Sequence, residues 1–125
     1  MATILVIDDE STNRKLLKLQ LGLRGHRVLE AESAQEGLNI LRTERPDLVI
    51  VDIQMPNMDG YEFVRQARSE PEIRDSVIML STGAYERRRV EALAEPLGVR
   101  FVLTKPINAE TVVSFVEGAL GKALD

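Results

Sequence analysis

Five short apolar runs punctuate the sequence, and three of them are nearly continuous stretches of leucine or β-branched residues without alternation. The runs are Ile4-Leu5-Val6-Ile7, Arg27-Val28-Leu29, Leu48-Val49-Ile50-Val51, Val77-Ile78-Met79-Leu80 and Phe101-Val102-Leu103. Successive residues of a strand point to opposite faces, so a strand wet on one side alternates apolar and polar residues. A strand that is apolar throughout has to be covered on both sides. A parallel sheet with helices on each face meets that condition.

Helical patterns fill the gaps. Ser11 is placed to cap a helix running to about Arg24, with Leu16, Leu17 and Leu21 on its apolar face and Gly25 as the stop. Ser33 followed by Glu36 reads as a capping box, and Ala34, Gly37, Leu38 and Leu41 recur behind it at helical spacing. Asp59 can cap a third helix with Phe63, Val64 and Ala67 inward. Val90, Leu93, Ala94 and Leu97 mark a fourth, which Pro96 should end or bend. Val112, Val116 and Leu120, with Val113 and Ala119 beside them, mark a fifth. The order is therefore strand then helix, five times. Crossovers of about 15 to 25 residues demand parallel pairing with right-handed connections. The expected fold class is α/β, a single doubly wound (βα)5 domain.

Bulk properties narrow the function. A chain of 125 residues suits one domain. With 44% hydrophobic and 29% charged residues it has the composition of an ordinary soluble globular protein. A net charge of -4 supplies no global basic field for nucleic acid or anionic membrane, so neither is expected as a direct partner. The absence of cysteine excludes disulfides, thiolate metal sites and cysteine nucleophiles. The apolar N-terminus is short, lacks a basic region and runs at once into Asp8 and Asp9, so it is no signal peptide. No apolar run approaches the roughly 18 residues of a membrane helix. A cytoplasmic location is the expectation.

In such a fold ligands bind beyond the C-terminal ends of the strands. The residues there are Asp8-Asp9-Glu10, Ala31-Glu32, Asp52, Ser81-Thr82 and Thr104-Lys105. Four of the five ends carry chemically capable groups, and the second is unremarkable. Asp8, Asp9 and Asp52 should converge. Two carboxylates about 5 Å apart repel by roughly 3 kcal/mol at an effective dielectric of 20. A divalent cation removes that conflict, and oxygen ligands without His or Cys favour Mg²⁺ over zinc. Lys105 supplies an ammonium and Ser81 a hydroxyl. Acceptor carboxylate, metal, ammonium and hydroxyl together make a site for a tetrahedral anion, and phosphoryl transfer needs little beyond such positioning and charge neutralisation. His26, the single histidine, reads as structural. Arg87-Arg88-Arg89 reads as a solvated helix face. No glycine-rich phosphate loop is present.

Four segments carry a family resemblance: Ile7-Asp8-Asp9-Glu10, Val51-Asp52-Ile53-Gln54-Met55-Pro56-Asn57-Met58-Asp59-Gly60, Leu80-Ser81-Thr82 and Leu103-Thr104-Lys105-Pro106. In order and spacing they resemble the signature segments of response-regulator receiver domains of two-component signalling, including the chemotaxis type. The resemblance covers nearly the whole chain, so residues 1–125 are read as one receiver domain. It implies a flavodoxin-like, five-stranded parallel sheet in the order 2-1-3-4-5. It also implies that Asp52 takes a phosphoryl group from a sensor histidine kinase or phosphotransfer protein, giving an acyl phosphate. Asp9, Asp52 and the Gln54 carbonyl would ligate Mg²⁺ directly, and Asp8 largely through water. Lys105 and Ser81 would hold phosphoryl oxygens, and the domain would catalyse only its own phosphorylation and dephosphorylation.

Two positions depart from the family pattern. Thr82 stands where the residue after the switch hydroxyl is usually Ala or Gly, and its branched side chain should narrow access to the phosphoryl site. Val102 stands where an aromatic residue often rotates inward on activation, and alternation points Phe101 to the opposite face. The readout should then shift to the loop from Ser81 to Tyr85 and to the fourth helix with Arg87 to Arg89, read by an output partner or by a second copy of the domain. The alternative to a phosphoacceptor is a pseudo-receiver acting only as an interaction module. A true aspartyl-phosphate hydrolase would need two aspartates spaced by one residue after the first strand, whereas Asp8 and Asp9 are adjacent.

Overall fold

The computed structural model describes residues 2–83, 86–105 and 107–124. Five strands alternate with five helices: β1 (Thr3–Ile7), α1 (Ser11–Gly22), β2 (Arg27–Ala31), α2 (Ala34–Glu44), β3 (Leu48–Asp52), α3 (Gly60–Ser69), β4 (Ile78–Gly83), α4 (Arg87–Ala94), β5 (Phe101–Lys105) and α5 (Ala109–Leu124). All strand pairs are parallel, in the order β2-β1-β3-β4-β5. The expected topology is therefore present. Among the described residues, no helix is long and apolar enough to cross a membrane.

The unbroken apolar runs are explained by two separate cores. Leu5, Ile7, Val49, Val51, Ile78, Leu80 and Val102 pack on one face against α2, α3 and α4. Ile4, Val6, Leu48, Ile50, Met79 and Leu103 pack on the other against α1 and α5. Neighbours along a strand thus enter different cores. Phe101 joins the second core, with its ring 5.9 Å from that of Phe115, while Val102 joins the first. Phe101 does not stand in for an aromatic at position 102.

Several helix details follow the expectations and several do not. Ser33 Oγ accepts from the Glu36 N–H, and Asp59 Oδ1 from the Glu62 N–H, as capping requires. Ser11 is no cap. Asp8 Oδ1 accepts from the Glu10 N–H at 2.9 Å, and this turn starts α1 one residue early with Glu10 at its boundary. Leu16 and Leu93 are 45% and 42% exposed, not inward. α1 touches the sheet through Leu17 and Leu21, one helical turn apart, and α4 through Val90 and Ala94. α1 ends at Gly22, not Arg24, and Gly25 takes its left-handed φ of 86° in the turn beyond. Around Pro96 the fourth helix tightens into a 3-10 turn over Glu95–Leu97.

Gly60 decides how the third crossover starts. A β-carbon there would lie 2.7 Å from the Asp52 carbonyl oxygen and 2.9 Å from the Ile53 α-carbon. Both are backbone atoms and cannot step aside. Only glycine lets α3 start directly against the end of β3. Gly60→Ala should therefore destabilise the domain by about 1–3 kcal/mol despite alanine's helix propensity. Gly22→Ala, where no atom lies within 4 Å of the new methyl, should stabilise it by up to about 1 kcal/mol. Urea unfolding of the two variants reads the contrast, and a neutral Gly60→Ala would refute the close-approach account.

Candidate functional site

The acidic cluster sits where the strand order reverses. Asp8 and Asp9 follow β1 directly, Asp52 ends β3, and β1 and β3 are hydrogen-bonded neighbours. One carboxylate oxygen of each lies within 4.8 Å of the others. Burial distinguishes them: Asp8 and Asp52 are each 4% exposed, whereas Asp9 faces solvent.

Lys105 reaches this cluster from β5, two strands away from β3. Strands lie about 4.8 Å apart, so the side chain has to cross the width of β4. Its stem is long enough: Nζ donates to Asp52 Oδ2 at 2.8 Å and lies 3.9 Å from Asp8 Oδ2. Asp52 Oδ1 accepts from the Gln54 N–H at 3.2 Å, so both Asp52 oxygens are held. Ser81 is buried at the position beside Asp52 in the β3–β4 register, and its carbonyl accepts from the Ile53 N–H. The structure thus brings Asp8, Asp9, Asp52, Gln54, Ser81 and Lys105 to one edge of the sheet.

The charges are unevenly balanced. Burial pushes the Asp8 carboxyl above its ordinary range and the Asp52 charge adds to this, against the Glu10 N–H and the Lys105 ammonium, which lower it. Burial works against charge on Lys105 as well, but its hydrogen bond to Asp52, followed by the charges of Asp52, Asp8 and Glu10, leaves its pKa raised. One ammonium therefore faces three carboxylates. Such a site is built to take further positive charge, and three carboxylates in reach of one point could hold a metal ion.

Three supporting roles were not assigned from the sequence. Arg14 Nη1 donates to the Asp8 carbonyl at 2.7 Å and fixes the β1–α1 corner. Its signal, a basic residue one turn into the first helix, is too common to read. Gly60 is the second. The third is Thr104, whose buried hydroxyl has no hydrogen-bond partner among the described residues and stands beside Thr82 across the β4–β5 ladder. Thr82 is buried and lines a hollow of about 550 Å³ with Tyr61, Glu86 and Arg89. In the expected switch loop, Ala84 and Tyr85 lie outside the described residues, as does Pro106 after Lys105. His26 is structural as expected, its Nδ1 accepting from the Ala2 N–H at 3.2 Å. Arg87 pairs with Glu91 and Arg89 with Glu86 on the exposed side of α4.

Residues 4–117 match the response regulator receiver domain family. The chain belongs to that family. Receiver domains are the phosphoacceptor modules of two-component signalling and are not metabolic enzymes; they interact with histidine kinases and output domains. This receiver domain is 36% identical over 121 residues to protein PilH of Pseudomonas aeruginosa, covering 96% of the chain and 98% of PilH. It is 38% identical over 108 residues to the KDP operon transcriptional regulatory protein KdpE of Escherichia coli, covering 86% of the chain but only 46% of KdpE. Among solved structures it superposes on a response regulator receiver domain protein of Clostridium thermocellum with a TM-score of 0.87 at 32% identity, covering 98% of this chain and 97% of that one. The chemotaxis protein CheY4 of Vibrio cholerae gives 0.83 at 27% identity, covering 95% and 98%.

Asp8 gives the receiver domain a pH signature. A carboxyl whose folded pKa is raised stabilises the fold below its unfolded pKa, and that stability is lost as pH rises through the folded pKa. In metal-free buffer, Asp8→Asn should match the parent near pH 3.8 and become the more stable of the two as pH rises toward 7. The amide oxygen of the substituted side chain can still accept from the Glu10 N–H, so the comparison isolates the charge. Denaturant unfolding at several pH values checks this, and a gap that stays constant with pH would refute it.

Proposed function

We propose that this domain takes a phosphoryl group on Asp52 from a phosphohistidine of a sensor kinase or phosphotransfer protein, with Mg²⁺ bound by Asp8, Asp9, Asp52 and the Gln54 carbonyl. One observation carries the reading: a buried carboxylate at the strand-order reversal, held by Lys105 at 2.8 Å, with two further carboxylates within 4.8 Å.

The chemistry is a displacement at phosphorus. An Asp52 carboxylate oxygen forms the new P–O bond as the P–N bond to the imidazole breaks, and the electron pair leaves with the imidazole. The product is an acyl phosphate. An all-oxygen donor set with two strongly buried carboxylates suits a hard divalent cation. Bound there, Mg²⁺ would neutralise phosphoryl oxygens and offset the carboxylate repulsion. Lys105 already lies against the acceptor, so its ammonium has only a short distance to travel to a phosphoryl oxygen. Ser81, one strand over, offers its hydroxyl to another. The same groups assist attack by water on phosphorus, which returns Asp52 to a carboxylate. Without an aromatic at Val102, the signal passes to the chain after Ser81 and to the face of α4, where an output partner or a second copy of the domain can read it. A cytoplasmic site of action goes with this reading.

Two measurements test it. With Mg²⁺ and acetyl phosphate as donor, mass spectrometry should find one phosphoryl adduct on the parent and none on Asp52→Asn; full modification of that variant would sink the assignment. Millimolar Mg²⁺ should raise the melting temperature by mass action, and Asp9→Ala should erase the rise. A parent that neither takes the phosphoryl group nor responds to Mg²⁺ would be a pseudo-receiver.

A further inference from the structure

A second cleft opens at the other end of the sheet, where β4 and β5 begin. It has a volume of about 520 Å³, within the range of roughly 300–1,000 Å³ usual for small-molecule sites. It shares no residue with the acidic cluster. Arg68, Arg74 and Arg100 line it, with Asp75 as the one carboxylate among the described lining residues. Three guanidiniums against one carboxylate make a local positive field in a chain of net charge -4.

The three arginines have different tasks. Arg68 is half-buried and committed to the backbone: Nε donates to the Leu97 carbonyl at 2.7 Å, and Nη1 to the Arg74 and Ser76 carbonyls at 2.8 Å each. It ties the segment after α3 to the turn before β5 and so fixes the shape of the cleft. Burial pulls its pKa down, with the Asp75 charge acting against that. Arg74 and Arg100 are exposed, and their guanidiniums have no ion-pair partner among the described residues. They flank apolar lining from Val77, Leu97 and Phe101.

Such a lining suits a ligand with two parts. A bare anion would leave the apolar wall in contact with water. A purely apolar ligand would leave both guanidiniums unused. A planar heterocycle joined to a phosphate uses both, because guanidiniums bind phosphate oxygens bidentately and aromatic rings stack on flat apolar walls. We infer that the cleft at the start of β4 and β5 binds a nucleoside phosphate, with the phosphate on Arg74 and Arg100 and the base against Phe101, Leu97 and Val77. This site is independent of the phosphoacceptor reading, since it lies at the opposite edge of the sheet.

NMR titration of the full chain in Mg²⁺-free buffer tests it, with AMP, adenosine and inorganic phosphate as probes. AMP should shift the amides of Gly98 and Phe101 saturably, with a dissociation constant below about 1 mM. Adenosine and phosphate alone should each bind at least about tenfold more weakly, and Arg74→Gln and Arg100→Gln should each weaken AMP by about tenfold. Arg88→Gln, on the exposed side of α4, should bind AMP like the parent. Three results would each overturn the inference: no saturable shift at millimolar AMP, phosphate binding as tightly as AMP, or an equal loss in Arg88→Gln, which would mean bulk charge alone.

Discussion

A short strand buried on both faces can place a polar side chain only at its ends. That constraint organises the molecule. β1 and β3 are apolar along nearly their whole length because two helical layers cover them, and Asp8, Asp9 and Asp52 occur where that cover stops. Parallel pairing then brings the ends of different strands to the same edge. Residues 44 positions apart in sequence become neighbours because Ile7 and Val51 are register partners. The carboxylates cluster as a consequence of the fold's layering, and the cluster has to be stabilised by whatever positive charge the same edge can provide.

Lys105 provides it, and the route matters. Its strand is not adjacent to the one it serves, so the ammonium crosses β4 to reach Asp52. This places the ammonium against the Asp52 carboxylate and links β5 to β3 across β4. A change of charge on Asp52 would therefore act directly on β5 through Lys105. Val102 brings no aromatic ring to this face of β5, and the ring of Phe101 packs against the opposite core.

The two ends of the sheet carry opposite electrostatics. The C-terminal edge gathers carboxylates around a single ammonium, while the N-terminal edge near β4 and β5 gathers arginines around a single carboxylate. Arg68 is the structural counterpart of Gly60. One holds the segment after α3 by two hydrogen bonds to carbonyls and the turn before β5 by a third, and the other lets α3 begin against the backbone of β3. Together they set both ends of the third helix, which borders both clefts.

Much of this was legible in the residues themselves. Unalternating runs required double cover, capping residues Ser33 and Asp59 marked two helix starts, and the aspartates at strand ends named the site, because these signals depend only on local chemistry and periodicity. What tertiary structure decided was anything set by competition between neighbours. Ser11 has no capping role because the chain turns into α1 one residue earlier, with Glu10 at the boundary and Ser11 already helical. Leu16 and Leu93 are exposed because each helix meets the sheet along one narrow stripe, and a leucine one position off that stripe has nothing to pack against. The difference in burial between adjacent Asp8 and Asp9, the reach of Lys105 across β4 and the joining of Arg68, Arg74 and Arg100 into one cleft also depend on where distant segments come to rest. The sequence by itself determined which groups stand at the strand ends, since covalent order and side-chain period suffice for that. Only the packed structure decided which of them touch, since contact depends on distances between segments that no local pattern encodes.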